Sequence, residues 1–78
     1  SMVNQLSKIM IKGLEAKGFE LEKFILTYSP SFGEIEIQYK VENTMNTLSL
    51  SLLEDHPITK KALALARTLS KRMLKELK

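Results

Sequence analysis

The feature that most constrains the fold is a strict two-residue alternation in the middle of the chain. The apolar positions are Ile35, Ile37, Tyr39 and Val41, and they alternate with Glu34, Glu36, Gln38, Lys40 and Glu42. Successive side chains of a β-strand point to opposite faces. The pattern therefore predicts a strand with one buried and one solvated face, which needs an apolar layer packed against it.

The segment before this strand predicts a second strand. Residues 19–28 are rich in aromatic and branched side chains and are bounded by Gly18 on one side and Ser29-Pro30 on the other. The apolar phase changes within the segment, because Phe19 and Leu21 share one phase while the later apolar residues share the other. This change predicts a bulge or a bend near Glu22-Lys23.

A third strand is predicted after the turn residues 43–46. Its apolar positions are Leu48, Leu50 and Leu52, which alternate with Thr47, Ser49 and Ser51. The turns at residues 29–33 and 43–46 are short. Connections of this length favour antiparallel pairing, so we expect a three-stranded meander.

Two amphipathic helices are predicted at the ends of the chain. In residues 3–17, apolar side chains recur on one helical face at Val3, Leu6, Met10 and Leu14, and Gly18 is suited to a left-handed C-cap. In residues 57–78, one face carries Ile58, Ala62, Leu65, Ala66, Leu69, Met73 and Leu77. Asp55 or His56 is expected to cap this second helix, with Pro57 in its first turn.

The resulting order, α-β-β-β-α, predicts a two-layer α+β fold in which both helices cover one face of a three-stranded antiparallel sheet. With 78 residues, we expect residues 2–78 to form a single domain with a small core. Because the chain has no Cys, apolar packing must supply its stability.

No catalytic, metal or cofactor signature accompanies this fold. The single His, His56, lies beside Asp55 and Glu54, but no second His and no Cys nucleophile is present, so we interpret it as a capping or solvated residue. We therefore expect a protein that is not an enzyme and uses no cofactor. No apolar run approaches a membrane span and no signal-peptide pattern is seen, which predicts a cytoplasmic or nuclear protein.

Charge is segregated along the chain. Residues 60–78 hold seven of the twelve Lys and Arg residues and one acid, Glu76, whereas residues 18–59 hold seven acids and two Lys. In the last helix Arg67, Lys71 and Lys75 follow one another at a spacing of four, which places like charges together at a small energetic cost. This arrangement indicates an anionic partner, which is nucleic acid, an acidic protein surface or an anionic membrane.

The last helix opens with Thr59-Lys60-Lys61 after three antiparallel strands, and in this the chain resembles the double-stranded-RNA-binding domain. The resemblance implies that the Lys60-Lys61 pair meets phosphates across the major groove, while the first helix and the loop at residues 29–33 contact minor grooves. The loop lacks the family's Gly-Pro and His signature, and Ala64 stands where a third basic residue is expected. These departures favour an alternative role in protein contacts.

The leading expectation is a non-catalytic nucleic-acid-binding module, with RNA favoured over DNA. Its contact residues are Lys60, Lys61, Arg67 and Lys71, assisted by Lys8 or Lys12. The alternative is a protein-interaction or homodimerisation domain, in which Leu63, Leu74 and Ile11 form the interface. These leucines lie at the flank of the last helix, where the sequence alone leaves their burial open.

Overall fold

The computed structural model describes residues 2–29, 31–51 and 58–76. Its elements are α1 (Met2–Ala16), β1 (Lys23–Ser29), β2 (Glu34–Val41), β3 (Thr44–Ser51) and α2 (Ile58–Glu76). The predicted element order and the α+β class are confirmed.

The three strands form one antiparallel sheet in the order β1-β2-β3. Residues that pair across neighbouring strands point to the same side of the sheet. Leu26, Ile37 and Leu48 form one such cross-strand row. The alternation predicted for β2 is confirmed, because Ile35, Ile37 and Tyr39 are fully buried whereas Glu34 and Glu36 are exposed.

Both helices cover this apolar face, and the buried residues of α1, β1, β2 and α2 form one hydrophobic core. The helix α1 packs against α2 and against β1. The last turn of α2 reaches the β2–β3 hairpin, where Glu76 lines a cleft with Val41 and Thr44. Gly18, just after α1, lines a second cleft with Val41. The C-terminal ends of the two helices therefore lie at the same end of the sheet.

The helix α1 ends in the glycine cap that the sequence predicts. Gly18 has φ of 91°, and its N–H donates to the Glu15 carbonyl over 2.9 Å. The N–H of Phe19 donates to the Leu14 carbonyl over 3.2 Å, and both of these side chains are buried. Together these bonds make a Schellman motif with its apolar contact, which is why the chain leaves the helix here.

The strand β1 begins at Lys23, so the prediction that it starts at Phe19 was wrong. The predicted bend is present at Glu22, whose N–H donates to the Lys40 carbonyl over 3.1 Å. Phe19 is buried in the core before the strand begins. The change in apolar phase therefore marks the boundary between a core-filling connection and the strand.

The β2–β3 turn is shorter than residues 43–46. Val41 pairs with Thr44, which leaves Glu42 and Asn43 as a two-residue loop with φ of 49° and 67°. Positive φ at both positions defines a type I′ turn, whose twist matches that of the flanking strands. Thr44, Met45 and Asn46 belong to β3 because the tight turn lets pairing begin at once.

The helix α2 buries the predicted stripe of apolar residues. Its buried residues are Ala62, Leu65, Ala66, Leu69, Ser70 and Met73. Ile58 is half-buried at its start. The predicted cap at Asp55 or His56, Pro57 in the first turn, the strand position Leu52 and the last apolar position Leu77 lie outside the described residues.

Candidate nucleic-acid interface

The helix α2 presents a row of cations on the face opposite its buried stripe. Lys60, Arg67 and Lys71 are all exposed, and they lie within one narrow sector of the helix at 3.6 residues per turn. At ~1.5 Å of rise per residue, Lys60 and Lys71 are separated by ~16 Å along the axis, with Arg67 between them. We call these three residues the basic row.

Lys61 departs from this row. One residue of helix turns its side chain by ~100° from that of Lys60, toward the flank of α2 that also carries Arg72. Lys61 is half-buried, whereas Lys60 is exposed. The two lysines that adjoin in sequence therefore reach different surfaces, and only Lys60 belongs to the basic row.

The helix α1 adds two exposed lysines, Lys8 and Lys12, which lie one turn apart on the face opposite its buried side. The two helices approach closely where Gly13 meets Ala66, since a Cβ added at Gly13 would lie 3.5 Å from the Ala66 Cβ. Both helices rest on the same sheet. Side chains opposite their buried stripes therefore project from one shared surface, the outer surface of the helical layer.

The two helices carry two acids, Glu15 and Glu76, and Glu15 is exposed one turn from Lys12 on the outer face of α1. Within residues 2–29, 31–51 and 58–76 there are two salt bridges, Lys40–Glu22 at 3.7 Å and Arg72–Glu76 at 3.3 Å. Neither uses the basic row, Lys8 or Lys12. Two of the described acids, Glu34 and Glu36, are exposed on the opposite side of the sheet. The layered fold thus separates these two acids of the sheet from the basic row, while Glu15 shares the helical surface with Lys8 and Lys12.

Leu63 and Leu74 are open to solvent, with 43% and 53% of their surface exposed. Helical spacing places both between the basic row and the side of α2 that faces α1 through Ala66. Ile11 is half-buried and lies two residues from Gly13, on nearly the opposite side of α1. Ile11 therefore does not lie on one surface with Leu63 and Leu74.

Phe32 is the residue that sequence reasoning missed. It lies in the turn between β1 and β2, where its N–H donates to the Ser29 carbonyl over 3.2 Å, and its side chain is 80% exposed. The turn lies at the end of the sheet where α2 begins, opposite the end that holds Glu76. The sequence did contain a signal for this exposure, because Phe32 is an aromatic residue within a turn otherwise made of Ser, Pro and Gly.

The C-terminal turn of α2 is tied to the sheet by polar contacts. The buried Tyr39 hydroxyl donates to Glu76 Oε2 over 3.3 Å, and Arg72 Nε donates to Glu76 Oε1 over 3.3 Å. Burial, reinforced by the neighbouring Glu76 carboxylate, raises the pKa of Tyr39 to about 12. Arg72 is thereby engaged within the domain, whereas the exposed Lys75 lies one turn beyond Lys71 and extends the basic row toward the C-terminal end of α2.

Side chains suited to metal binding are dispersed over the part of the chain that the structure describes. Among the residues whose positions are described, no group of three His, Cys, Asp or Glu side chains is placed to hold a metal ion. The cleft beside Glu76, of about 240 Å³, is lined by Val41, Glu42, Thr44, Asn46, Met73 and Glu76. His56 and its acidic neighbours lie outside the described residues.

The fold and this surface define a small two-layer α+β domain with a basic helical face. Comparison with protein-family models, curated proteins and solved structures gives no match to the chain. Neither α1 nor α2, as described, is long and apolar enough to cross a membrane.

Proposed function

We propose that this protein is a non-catalytic nucleic-acid-binding module that contacts the phosphate backbone, of RNA in preference to DNA. The observation that carries the proposal is the exposed basic row, flanked by Lys8 and Lys12 on the same outer surface and free of described salt bridges. Long flexible lysines and a planar guanidinium are the groups that bind phosphates in nucleic-acid complexes.

Binding by this surface depends on charge more than on sequence. The basic row consists of three cations with no aromatic side chain between them on which a base could stack, so we expect its contacts to be governed by charge and shape. Neutralised phosphates release counterions, which makes such affinity fall steeply with salt. The preference for RNA rests on the resemblance in element order and on Lys60, the member of the Lys60-Lys61 pair that lies in the basic row.

The test is a titration of the 78-residue chain with duplex RNA, single-stranded RNA and duplex DNA at two salt concentrations. We expect binding at low salt that weakens at high salt, and a loss of tenfold or more in Arg67→Glu/Lys71→Glu. A second variant, Lys60→Glu/Lys61→Glu, tests whether the start of α2 contributes to the affinity for nucleic acid.

The matched control is Lys23→Glu/Lys40→Glu, which reverses two charges on the outer face of the sheet and should leave a clearly smaller effect. No binding at low salt, or equal losses in control and helix variants, would contradict the proposal.

A second candidate function is a protein-interaction domain, and the exposure of Leu63 and Leu74 favours it. The two leucines are bordered by the basic row, so the partner that fits this surface presents acidic residues around an apolar contact. A second copy is disfavoured at this face because it would bring two basic rows together.

Leu74→Glu discriminates the two functions. If it abolishes capture of an acidic partner while the chain shows no affinity for nucleic acid, the second function is favoured. If the chain binds nucleic acid and Leu74→Glu leaves that affinity largely intact, the first function is favoured and Leu74 is not part of the contact.

A further inference from the structure

The outer edge of β3, with which no described strand pairs, lacks the features that usually prevent a strand from pairing with another chain. Natural edge strands are blunted by charged residues, Pro, bulges or short length. The strand β3 has eight residues, TMNTLSLS, with no charged residue and no Pro. Its register with β2 runs without interruption from Thr44 to Ser51.

The turn geometry shows which backbone groups of β3 are free. In a type I′ hairpin the residues flanking the turn, Val41 and Thr44, form a hydrogen-bonded pair. Antiparallel pairs alternate between bonded and non-bonded. The N–H and C=O groups that point away from β2 are therefore those at alternate positions beginning with the residue after Thr44. They belong to Met45, Thr47, Ser49 and Ser51.

The apolar side chains of the core are also less completely covered at this edge of the sheet. Leu48 and Leu50 lie in the same rows as the fully buried Ile37 and Ile35, yet both remain half-buried. The other edge differs, because β1 begins with the charged Lys23 and is packed by α1. Within residues 2–29, 31–51 and 58–76, no strand pairs with the outward backbone groups of β3, and partly covered apolar side chains lie beside them.

We propose that β3 pairs antiparallel with β3 of a second copy of this chain, making a six-stranded sheet about a two-fold axis near Leu48. In this register Met45 pairs with Ser51, Thr47 pairs with Ser49, and Leu48 meets its symmetry mate. The free backbone groups of the two strands satisfy each other. Every side chain that meets across the axis is uncharged, which is why a second copy fits this edge.

The symmetry keeps both helical layers on one side of the extended sheet, because the pairing joins residues of the same face. The two α2 helices become neighbours on that side, and their basic surfaces repel each other. Added salt screens this repulsion. Dimerisation should therefore strengthen with salt, whereas phosphate binding weakens with it, so the two properties can be separated in one protein.

Sedimentation equilibrium over a concentration series, at low and high salt, tests the pairing. The variant Thr47→Lys/Ser49→Lys places lysines opposite one another across the axis and should weaken association at least tenfold. The matched control is Ile25→Lys/Thr27→Lys, which changes the residues of the same two rows on the β1 edge. The control should associate like the wild type.

A monomeric wild type at both salt concentrations would overturn the pairing, as would a dimer that survives Thr47→Lys/Ser49→Lys. Equal weakening in the β1 control would also overturn it. Backbone amide exchange in the wild type supplies a readout that needs no variant. The amides of Thr47 and Ser49 should gain protection as concentration rises, and unchanged exchange across the dimerisation range would count against the pairing.

Discussion

Tyr39, near the C-terminal end of β2, donates its buried hydroxyl to Glu76 in the last turn of α2. This contact joins residues 37 positions apart and fixes the C-terminal end of α2 above the β2–β3 hairpin. Because Glu76 also accepts from Arg72, the one acid of the helix is held on its sheet side. The basic row on the opposite side is left without a compensating charge from α2.

The Tyr39 contact predicts a specific loss of stability at high pH. The pKa of Tyr39 is raised to about 12 in the folded protein, against about 10 in an unfolded chain. Its contribution is complete below pH 10 and is lost as pH rises toward 12, since the unfolded state releases the proton first. We expect a loss of at most a few kcal/mol. Urea unfolding at pH 9 and pH 11.5 measures it.

Tyr39→Phe is the control for this titration. The variant keeps every other titratable group, so the difference between the pH dependences of the two proteins reports on Tyr39 alone. Parallel stability curves for the wild type and Tyr39→Phe between pH 10 and pH 12 would show that the hydroxyl is not linked to folding.

Gly13→Ala is expected to stabilise the protein by up to about 1 kcal/mol. The added Cβ would lie 3.5 Å from the Ala66 Cβ, which is ordinary van der Waals contact, and alanine is the better helix former by about this amount. Thermal and urea unfolding measure the change. Gly18→Ala is expected to destabilise the protein instead, because φ of 91° at the C-cap is strained for any residue with a Cβ. Destabilisation by Gly13→Ala would indicate closer helix packing than the structure shows.

Glu42→Asn is expected to stabilise the β2–β3 hairpin by roughly 0.5–1 kcal/mol. Glu42 has φ of 49°, a left-handed conformation that asparagine tolerates better than glutamate. The Asn43 N–H donates to Glu22 Oε1 over 3.2 Å, and this hydrogen bond should be retained in the variant. Chemical denaturation measures the gain, and Glu36→Asn, on the regular part of β2, should not reproduce it.

Arg67→Gln/Lys71→Gln is expected to flatten the salt dependence of nucleic-acid binding. Each phosphate contact contributes about 1 to the slope of log K against log salt, so the double variant should lower the slope by about 2. Fluorescence titrations at four salt concentrations give the slope. Lys23→Gln/Lys40→Gln removes the same charge from the outer sheet face and should leave the slope near that of the wild type. A reduced affinity with an unchanged slope would indicate that the basic row does not contact phosphates.

Much of the fold was predictable because short-range periodicity decides which side of an element is buried. The alternation through Ile35, Ile37 and Tyr39 specified β2 and its core face, and Gly18 specified the end of α1. The boundaries of the strands and turns were harder to predict from the sequence. Phe19 looked like part of a strand because an aromatic residue fills a core equally well from a connection. The tight turn at Glu42-Asn43 was missed because glutamate seldom adopts positive φ.

The candidate surface was predictable only in part. The spacing of Lys60, Arg67 and Lys71 placed them on one helical face, which the structure shows to be exposed. The sequence did not reveal that Lys61 turns to another flank or that Phe32 is open to solvent. Both depend on what lies beside the residue in space.

The sequence by itself determined the element order, the antiparallel meander and the buried stripes of both helices, since these follow from periods of 2 and 3.6 residues and from a glycine cap. Only the tertiary structure decided that Leu63 and Leu74 stay exposed, that Glu76 is held by Tyr39, and that β3 is an edge strand of the described sheet. Each of these depends on which elements pack side by side. Residues far apart in the chain decide that packing, and no local pattern encodes it.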